Sequence, residues 1–404
     1  MSSTFDYIIV GAGPAGMTAG LELKKRNASF CIIEARDTIG GRVRRVDDSF
    51  DVDIRFEIGG SFVHNLPKLE RLAKSIGVDK IPEHVPLRPL SFRYWSAESS
   101  WGRWGNPMAN DRIWVNNTWF RFFETNVYPE IANDIRFGHS VKEMDYSDPS
   151  GVKITCQTNA IQGSDETEES VFIANKKVLI TVSPGILKSG NITFQPTLPE
   201  KVQSSIDKIS FQNAIKMNIH FKTKFYGDKS LFSLQSKRDG MKGGYEDFFF
   251  WEASYKQGQD DTFVLGCLLQ GETGQVNRGS DTDELFARIL KLLDEAFDNE
   301  ATPNLVQKTV KDWSQDPYAL GSWTDYQYGN TNWRSIFKRM AATPVDGRIY
   351  FAGEYLAFDG WHGTVDSAAM SGQTAARFML GEINSPWNGP GGLGFFGSLL
   401  HNIK

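Results

Sequence analysis

The chain has 404 residues, of which 40% are hydrophobic and 23% charged, and its net charge is −5. That length predicts about two lobes with ample core, and the composition is that of a soluble globular protein. The negative balance argues against nucleic acid as the main partner, and no apolar run reaches the length of a membrane span, so no transmembrane segment is expected.

In chain order, Ile8 to Val10 is a short apolar run. Gly11-Ala12-Gly13-Pro14-Ala15-Gly16 follows at once, Met17 to Lys25 reads as a helix, and a second apolar run, Phe30 to Ile33, ends on Glu34. That is strand, glycine turn, helix, strand and acid. Gly11 allows the tight turn, Gly13 lets a phosphate approach the backbone, and Gly16 lets helix and strand pack closely. The helix N-terminus turns free N–H groups and a partial positive charge toward a pyrophosphate. Glu34 stands as far beyond the glycines as ribose recognition needs. The pattern predicts dinucleotide binding; an ordinary glycine-rich turn in a parallel sheet is the alternative. Ala35 to Arg42 adds a second glycine turn at Gly40-Gly41 with Arg36 and Arg42, and Arg42 can pair with a pyrophosphate through two charge-assisted bonds. This chemistry alone does not separate FAD from NAD.

The run Glu34-Ala35-Arg36-Asp37, then Gly40-Gly41-Arg42, directly after an N-terminal G-x-G-x-x-G, resembles the flavin-dependent amine oxidase family. That superfamily includes monoamine, polyamine and L-amino-acid oxidases and the flavin-dependent histone demethylases. The resemblance implies FAD as cofactor, with Gly11, Gly13, Gly16, Glu34, Arg36, Gly41 and Arg42 among the residues that hold it. Arg44 departs from the Ser or Thr usual at that place. Phe56 to His64 comes next, and the resemblance implies that Gly59 and Gly60 run beside the flavin, so that Phe62 and His64 face the substrate. A capping or core histidine is the plainer reading of His64.

Leu69 to Ile76 predicts a short helix. Pro82, Pro86 and Pro89 then break the chain, and Trp95, Trp101, Trp104, Trp114 and Trp119 make the stretch either a substrate entrance or a packed core. Val115 to Ile131 reads as one helix. The larger family members carry a long helical lid here, and this chain has about half the residues that lid needs. Val141 to Met144 and Val152 to Cys156 alternate as strands, and the resemblance implies that Val141 contacts the adenine. Val178 to Lys188 resembles the second strand and turn of the nucleotide domain.

Ile215, Met217, Ile219 and Phe221 alternate with Lys216, Asn218 and His220, a strand with one apolar face. Pattern alone puts Lys216 on a solvated face. Phe211 to Lys216, however, resembles the family segment whose lysine reaches the flavin through a water, which implies Lys216 as the catalytic residue. Tyr245 to Trp251 and Phe263 to Leu269 are further strands, and Asp283 to Phe297 has helical spacing. Trp313 to Trp323 resembles a block that carries, in some monoamine oxidases, a cysteine joined to the flavin. None is present here, so the resemblance implies noncovalent FAD, with Trp313 near the cofactor and Trp323 near the substrate.

Ile349 to Glu354 is a strand running into a Gly-Glu turn. Thr364 to Leu380 reads as a helix rich in small residues that permit close approach of a neighbour. With Trp361-His362-Gly363 this resembles the family's C-terminal signature and implies cofactor contacts at Gly353, Glu354, Thr364 and Val365. Thr364 replaces the usual pocket aromatic after His-Gly, and Trp361 or Trp323 is the candidate to stand in for it. The tail from Ser385 is rich in Gly, Pro and Phe and is expected to be flexible.

Together these readings predict an α/β fold. Its Rossmann-like FAD-binding domain, of glutathione-reductase type, comprises 1–70, 138–212 and 340–384, and it is interleaved with an α+β substrate domain of 71–137 and 213–339. The expected activity is oxidation of a small-molecule amine or L-amino acid with molecular oxygen as partner. An amino-acid monooxygenase, a desaturase and a non-catalytic flavin-bound module are the rivals. If the substrate is an amino acid, Arg88 and Arg93 are candidates for its carboxylate. The six histidines show no metal-binding spacing, so no metal is expected. Cys31, Cys156 and Cys267 read as buried free thiols, and with a first strand starting too early to leave room for a signal peptide they predict a cytoplasmic protein.

Overall fold

A computed structural model describes residues 3–45, 56–87, 91–105, 110–158, 168–257, 261–326 and 332–388. Two β-sheets organise them. In the first, Ser3–Val10 runs parallel between Phe30–Ile33 and Glu169–Ile180, and Ile349–Phe351 pairs parallel with the end of Glu169–Ile180. Strands with helices on one side and more sheet on the other are buried on both faces and read as continuous apolar runs. Ile8, Val10, Cys31, Ile33, Val178 and Ile180 accordingly face one core, and Ile9, Ile32 and Leu179 face the other. Val10 lies opposite both Ile33 and Ile180, and Ile180 lies opposite Phe351, so the carboxyl ends of all four strands are level.

The twelve-residue strand Glu169–Ile180 is paired on both edges. Along its whole length from Phe172 it pairs parallel with Ser3–Val10; on its other edge the first half pairs antiparallel with Val152–Thr158, which pairs in turn with His139–Asp145, and the end pairs parallel with Ile349–Phe351. On the opposite face, the helices Pro14–Lys24 and Val365–Met379 cover the sheet with Met17, Leu21, Ala369 and Ala376. The first helix starts at Pro14 rather than Met17, because proline needs no acceptor at the first helical position and its φ is already suitable.

The second sheet runs in the order Leu305–Asp312, Ile215–Phe221, Phe263–Leu269, Tyr245–Glu252, Leu231–Lys237, Ser91–Ser96 and Ser100–Gly105. The helix Thr282–Ala296 lays Leu285, Phe286, Ile289 and Leu293 on the face formed by Met217, Ile219 and Phe221. The other face of Ile215–Phe221 is not solvated: Lys216 is 4% exposed and Asn218 1%.

The stretch 71–137 is divided among the two large sheets and a small one in which His84–Pro86 pairs with Arg112–Trp114. Ser91–Ser96 and Ser100–Gly105 extend the second, whereas Ile135–Arg136 pairs with Phe30–Ile33 of the first. The single helix read over Val115 to Ile131 is two, Trp119–Asn126 and Tyr128–Ile131. Pro129 cannot continue the earlier turn, since its ring meets the carbonyl four residues back, and Val127 leaves helical geometry with φ −125. Trp114 and Trp119 pack edge to face at 5.1 Å, with Phe122 and Phe123 against them, and this core supports the first sheet. Beyond Ser385, Trp387 packs on Phe337 at 4.3 Å, and the tail from 389 onward lies outside the described residues. Among the described residues no helix is long and apolar enough to cross a membrane.

Candidate active site

In open α/β sheets ligands bind beyond the carboxyl ends of the strands. A cavity of about 860 Å³, in the size range of a large ligand, begins there at Gly11, Glu34, Thr181 and Gly353. It extends toward Val141 on one side and to Lys216, Trp323 and Trp361 on the other.

The nucleotide end fits a dinucleotide. The helix Pro14–Lys24 has Gly13 as its N-cap, no side chain capping it and no acid in its first turn. The amides of Ala15 and Gly16 therefore lack an intrahelical acceptor, and Gly13, Pro14 and Ala15 line the cavity. A Cβ on Gly13 would make only an ordinary contact, 3.9 Å from the Gly40 carbonyl, whereas one on Gly16 would lie 1.8 Å from the Gly11 carbonyl. Gly16 is thus a packing glycine behind the cavity and does not line it. Glu34 is oriented by two backbone amides, Ala12 N–H to Oε2 at 2.6 Å and Arg36 N–H to Oε1 at 2.9 Å. Burial pushes its pKa up against these bonds, and each oxygen keeps a lone pair for a hydroxyl donor.

The two arginines are held by the chain itself. Arg36 pairs with the fully buried Asp316 and lies over the Tyr318 ring at 5.0 Å. Arg42 donates to Glu354 Oε1 at 2.8 Å and to the Ser322 carbonyl at 2.7 Å. Arg42, expected at the pyrophosphate, and Glu354, expected at the cofactor, are thus joined to each other. Glu354 also accepts the Gly363 N–H at 3.0 Å and the Thr324 N–H at 3.2 Å, tying three segments of the cavity wall together.

At the other end, the strip Gly59-Gly60-Ser61 faces the second sheet. A Cβ on Gly59 would lie 1.9 Å from the Arg42 carbonyl, so only glycine fits. Lys216 Nζ donates to the Gly59 carbonyl at 2.7 Å and to Ser61 Oγ, with the Trp251 ring 5.2 Å away. The solvated reading of Lys216 is therefore corrected: the Gly59 strip covers that face of the strand. Burial lowers the Lys216 pKa, although the charge of Glu57 opposes the shift, and burial raises the Glu57 pKa against the charge of Lys216. Trp313 Nε1 donates to the Ile58 carbonyl at 3.1 Å and fixes the same strip from below.

Val365 and Gly60 also meet at the cavity, where a Cβ on Gly60 would stand 3.0 Å from the Val365 side chain. Thr364 is the N-cap of the helix Val365–Met379 rather than its first residue. Of the expected substrate residues, Phe62 packs edge-on to Trp251 at 5.1 Å, and His64 Nδ1 lies 3.0 Å from Asp111 Oδ2. Trp323 packs on Gly363, and Trp361 is 46% exposed at the cavity wall. Apart from Gly16 and the two arginine candidates Arg88 and Arg93, the expected site residues line this one cavity. Trp95, Trp101, Trp114 and Trp119 do not, and the Trp104 side chain lies outside the described residues.

The sequence reading missed Phe249, Trp251, Ser61 and Glu57. Phe249 and Trp251 stack at 5.8 Å on the cavity face, while Phe248 and Phe250 face the opposite core. The unbroken aromatic run was the available signal, because a strand apolar on both faces is covered on both. Among the described residues no group of three or more His, Cys, Asp or Glu could hold a metal ion.

Residues 128–380 match the flavin containing amine oxidoreductase family, and residues 9–76 match an NAD(P)-binding Rossmann-like domain. Similar proteins include polyamine oxidase 1 of Zea mays, 26% identical over 59% of this chain and 44% of its own length. L-amino acid oxidase Bs29 of Bothriechis schlegelii is 26% identical over 67% of this chain and 49% of its own length. Lysine-specific histone demethylase 1 homolog 3 of Arabidopsis thaliana is 26% identical over 74% of this chain and 17% of its own length. The chain thus spans less than half the length of each of these curated relatives. Among solved structures, cyclohexylamine oxidase from Brevibacterium oxydans shares the fold, with a TM-score of 0.71 at 17% identity over 94% of this chain and 99% of that one. Putrescine oxidase bound to putrescine gives 0.69 at 17% identity, over 94% of this chain and 100% of that one. The family match, over more than half of a chain whose glycine turn, buried lysine and C-terminal helix meet at one cavity, identifies this protein as a member of the flavin-containing amine oxidoreductase family.

Proposed function

We propose that the chain is an FAD-dependent oxidase of small amines. The observation that carries this reading is Lys216, a buried ammonium held on the Gly59 strip and turned toward an aromatic-walled cavity. The cofactor would be held noncovalently by residues of 1–70, 138–212 and 340–384, and the amine by residues of the second sheet and the Trp361 loop. When bound, FAD supplies the acceptor for a hydride from the amine's α-carbon and passes the two electrons to molecular oxygen, giving peroxide. The uncapped amide at Ala15 and the carboxylate of Glu34 bind the dinucleotide. Lys216 supplies positive charge beside the Gly59 strip and stabilises negative charge that develops there. Phe62, Phe249, Trp251 and Trp323 exclude water and hold the apolar body of the amine, and the imine product is hydrolysed to a carbonyl compound and ammonia or amine.

The positions of the arginines favour an amine over an amino acid. Among the described lining residues, Arg36 and Arg42 stand at the nucleotide end on Asp316 and Glu354. Arg93 pairs with Asp228 away from the cavity, and Arg88 lies outside the described residues.

The test is anaerobic mixing of the purified flavoprotein with amines and with the matching amino acids, followed by admission of air. Loss of the oxidised flavin absorbance, with peroxide and ammonia on aeration, is the expected result, and amines should react faster than their carboxylated counterparts. An amide product would make the protein a monooxygenase, and an unbleached flavin across the whole series would end the oxidase reading.

A further inference from the structure

A lysine is seldom fully buried unless a partner offsets the loss of water. Lys68, on the helix Leu66–Ile76, is 1% exposed. The helix does not need its ammonium. Asn65 caps the start, Gly77 ends it in the left-handed conformation, and Leu69, Leu72, Ala73 and Ile76 supply its core face. The ammonium instead reaches Asp359 Oδ2 at 2.7 Å and donates to Ser367 Oγ. Asp359 Oδ1 accepts the Trp361 N–H at 3.1 Å, and Ser367 Oγ donates to the Trp361 carbonyl at 2.6 Å. Both backbone polar groups of Trp361 are thus held through side chains that meet at one buried cation. The Trp361 indole is by contrast the large aromatic that stands exposed at the cavity wall, with Thr364, a small residue, lining the cavity beside it.

We propose that Lys68 is a positioning residue for the substrate wall. By fixing the Asp359–Thr364 loop it sets where the Trp361 indole stands, and so how large an apolar amine the cavity admits. The selectivity half of this proposal rests on the amine-oxidase reading above; the hold on the loop does not.

Hydrogen–deuterium exchange tests the hold without turnover. In Lys68→Met, amides of 359–364 should exchange about tenfold faster than in wild type, with the helix Pro14–Lys24 unchanged. Selectivity is read from anaerobic flavin bleaching by propylamine and benzylamine. Lys68→Met should move the ratio of the two amines' half-saturating concentrations about fivefold at a nearly constant limiting rate of bleaching. Trp361→Ala should move it by a similar factor, and the double variant no further, because the two residues act through one element. If Lys68→Met does not fold, Asp359→Asn carries the same measurements, since it removes the ion pair and leaves Lys68 its Ser367 partner. Wild-type exchange in the loop overturns the proposal, as do single-variant effects that multiply in the double variant. If no amine bleaches the wild-type flavin, the oxidase reading fails and takes the selectivity half with it, while the exchange rates still decide the hold on the loop.

Discussion

Lys216 and Glu57 face each other's charge inside a wall that admits little water, which makes substitution at Lys216 informative. In Lys216→Met the carboxyl of Glu57 loses its opposing cation, and burial already favours its neutral form. Glu57 should take up a proton and the fold should survive. Reoxidation of the reduced flavin by oxygen is expected to slow by about one to three decades, or roughly 1.4–4 kcal/mol in barrier, while reduction by amine changes less. Anaerobic reduction followed by mixing with oxygenated buffer measures both, and wild-type reoxidation in protein with full FAD content would remove Lys216 from the chemistry. His362 gives a second test. Burial pushes its pKa from 6.5 down to about 4, and its ring is enclosed by Tyr326 at 4.6 Å and Trp333 at 5.0 Å. On acidification the unfolded chain binds the proton first, so stability is complete above pH 6.5 and is lost as pH falls toward 4. The loss is about 3 kcal/mol at most. Urea unfolding of His362→Gln should show a shallower decline over that window than wild type, and identical slopes would refute the assignment. Neither effect was legible in the sequence. Alternation places Lys216 on the polar face of a strand but does not say which segment lies over that face, and the Trp361-His362-Gly363 motif says nothing of the Tyr326 and Trp333 rings that enclose His362.

Elements were legible where periodicity and end signals agree. Phe30–Ile33 has the bounds expected of it, and Thr282–Ala296 differs from its expected span by one residue at each end, because its apolar spacing and its Asp281 cap mark it clearly. The stretch from Val115 to Ile131 failed because periodicity continued through a proline that the backbone could not follow. The small residues of Val365–Met379 have their use in a contact that a linear reading only suggests. A Cβ on Gly372 would lie 1.9 Å from the Ala15 carbonyl, and Thr18 Oγ1 donates to the Ala369 carbonyl at 2.7 Å. The helix behind the glycine turn and the helix at the opposite end of the chain therefore touch backbone to backbone. Gly372→Val is expected to cost about 1–3 kcal/mol and to lower FAD content, since the displaced helix carries the Ala15 amide. An unchanged urea midpoint with full flavin content would show that the two helices can separate without loss.

At the scale of the molecule, Cys31, Cys156 and Cys267 are fully buried and none lines the cavity. Acid precipitation should therefore release the yellow colour into the supernatant, and colour retained in the pellet would mean a covalent link. The same buried sheet has a consequence for biosynthesis. Ser3–Val10 leaves the ribosome well ahead of Glu169–Ile180, which follows some 160 residues later, and of Ile349–Phe351, later still. At roughly 5–20 residues per second, the nascent chain carries an apolar strand with one edge unpaired for on the order of ten to thirty seconds before its main neighbour exists, and the set is complete only after about twenty to seventy. Such an edge is an invitation to pair with another chain. Translation speed and chaperone supply, more than equilibrium stability, then govern how much of this protein is made in its folded form.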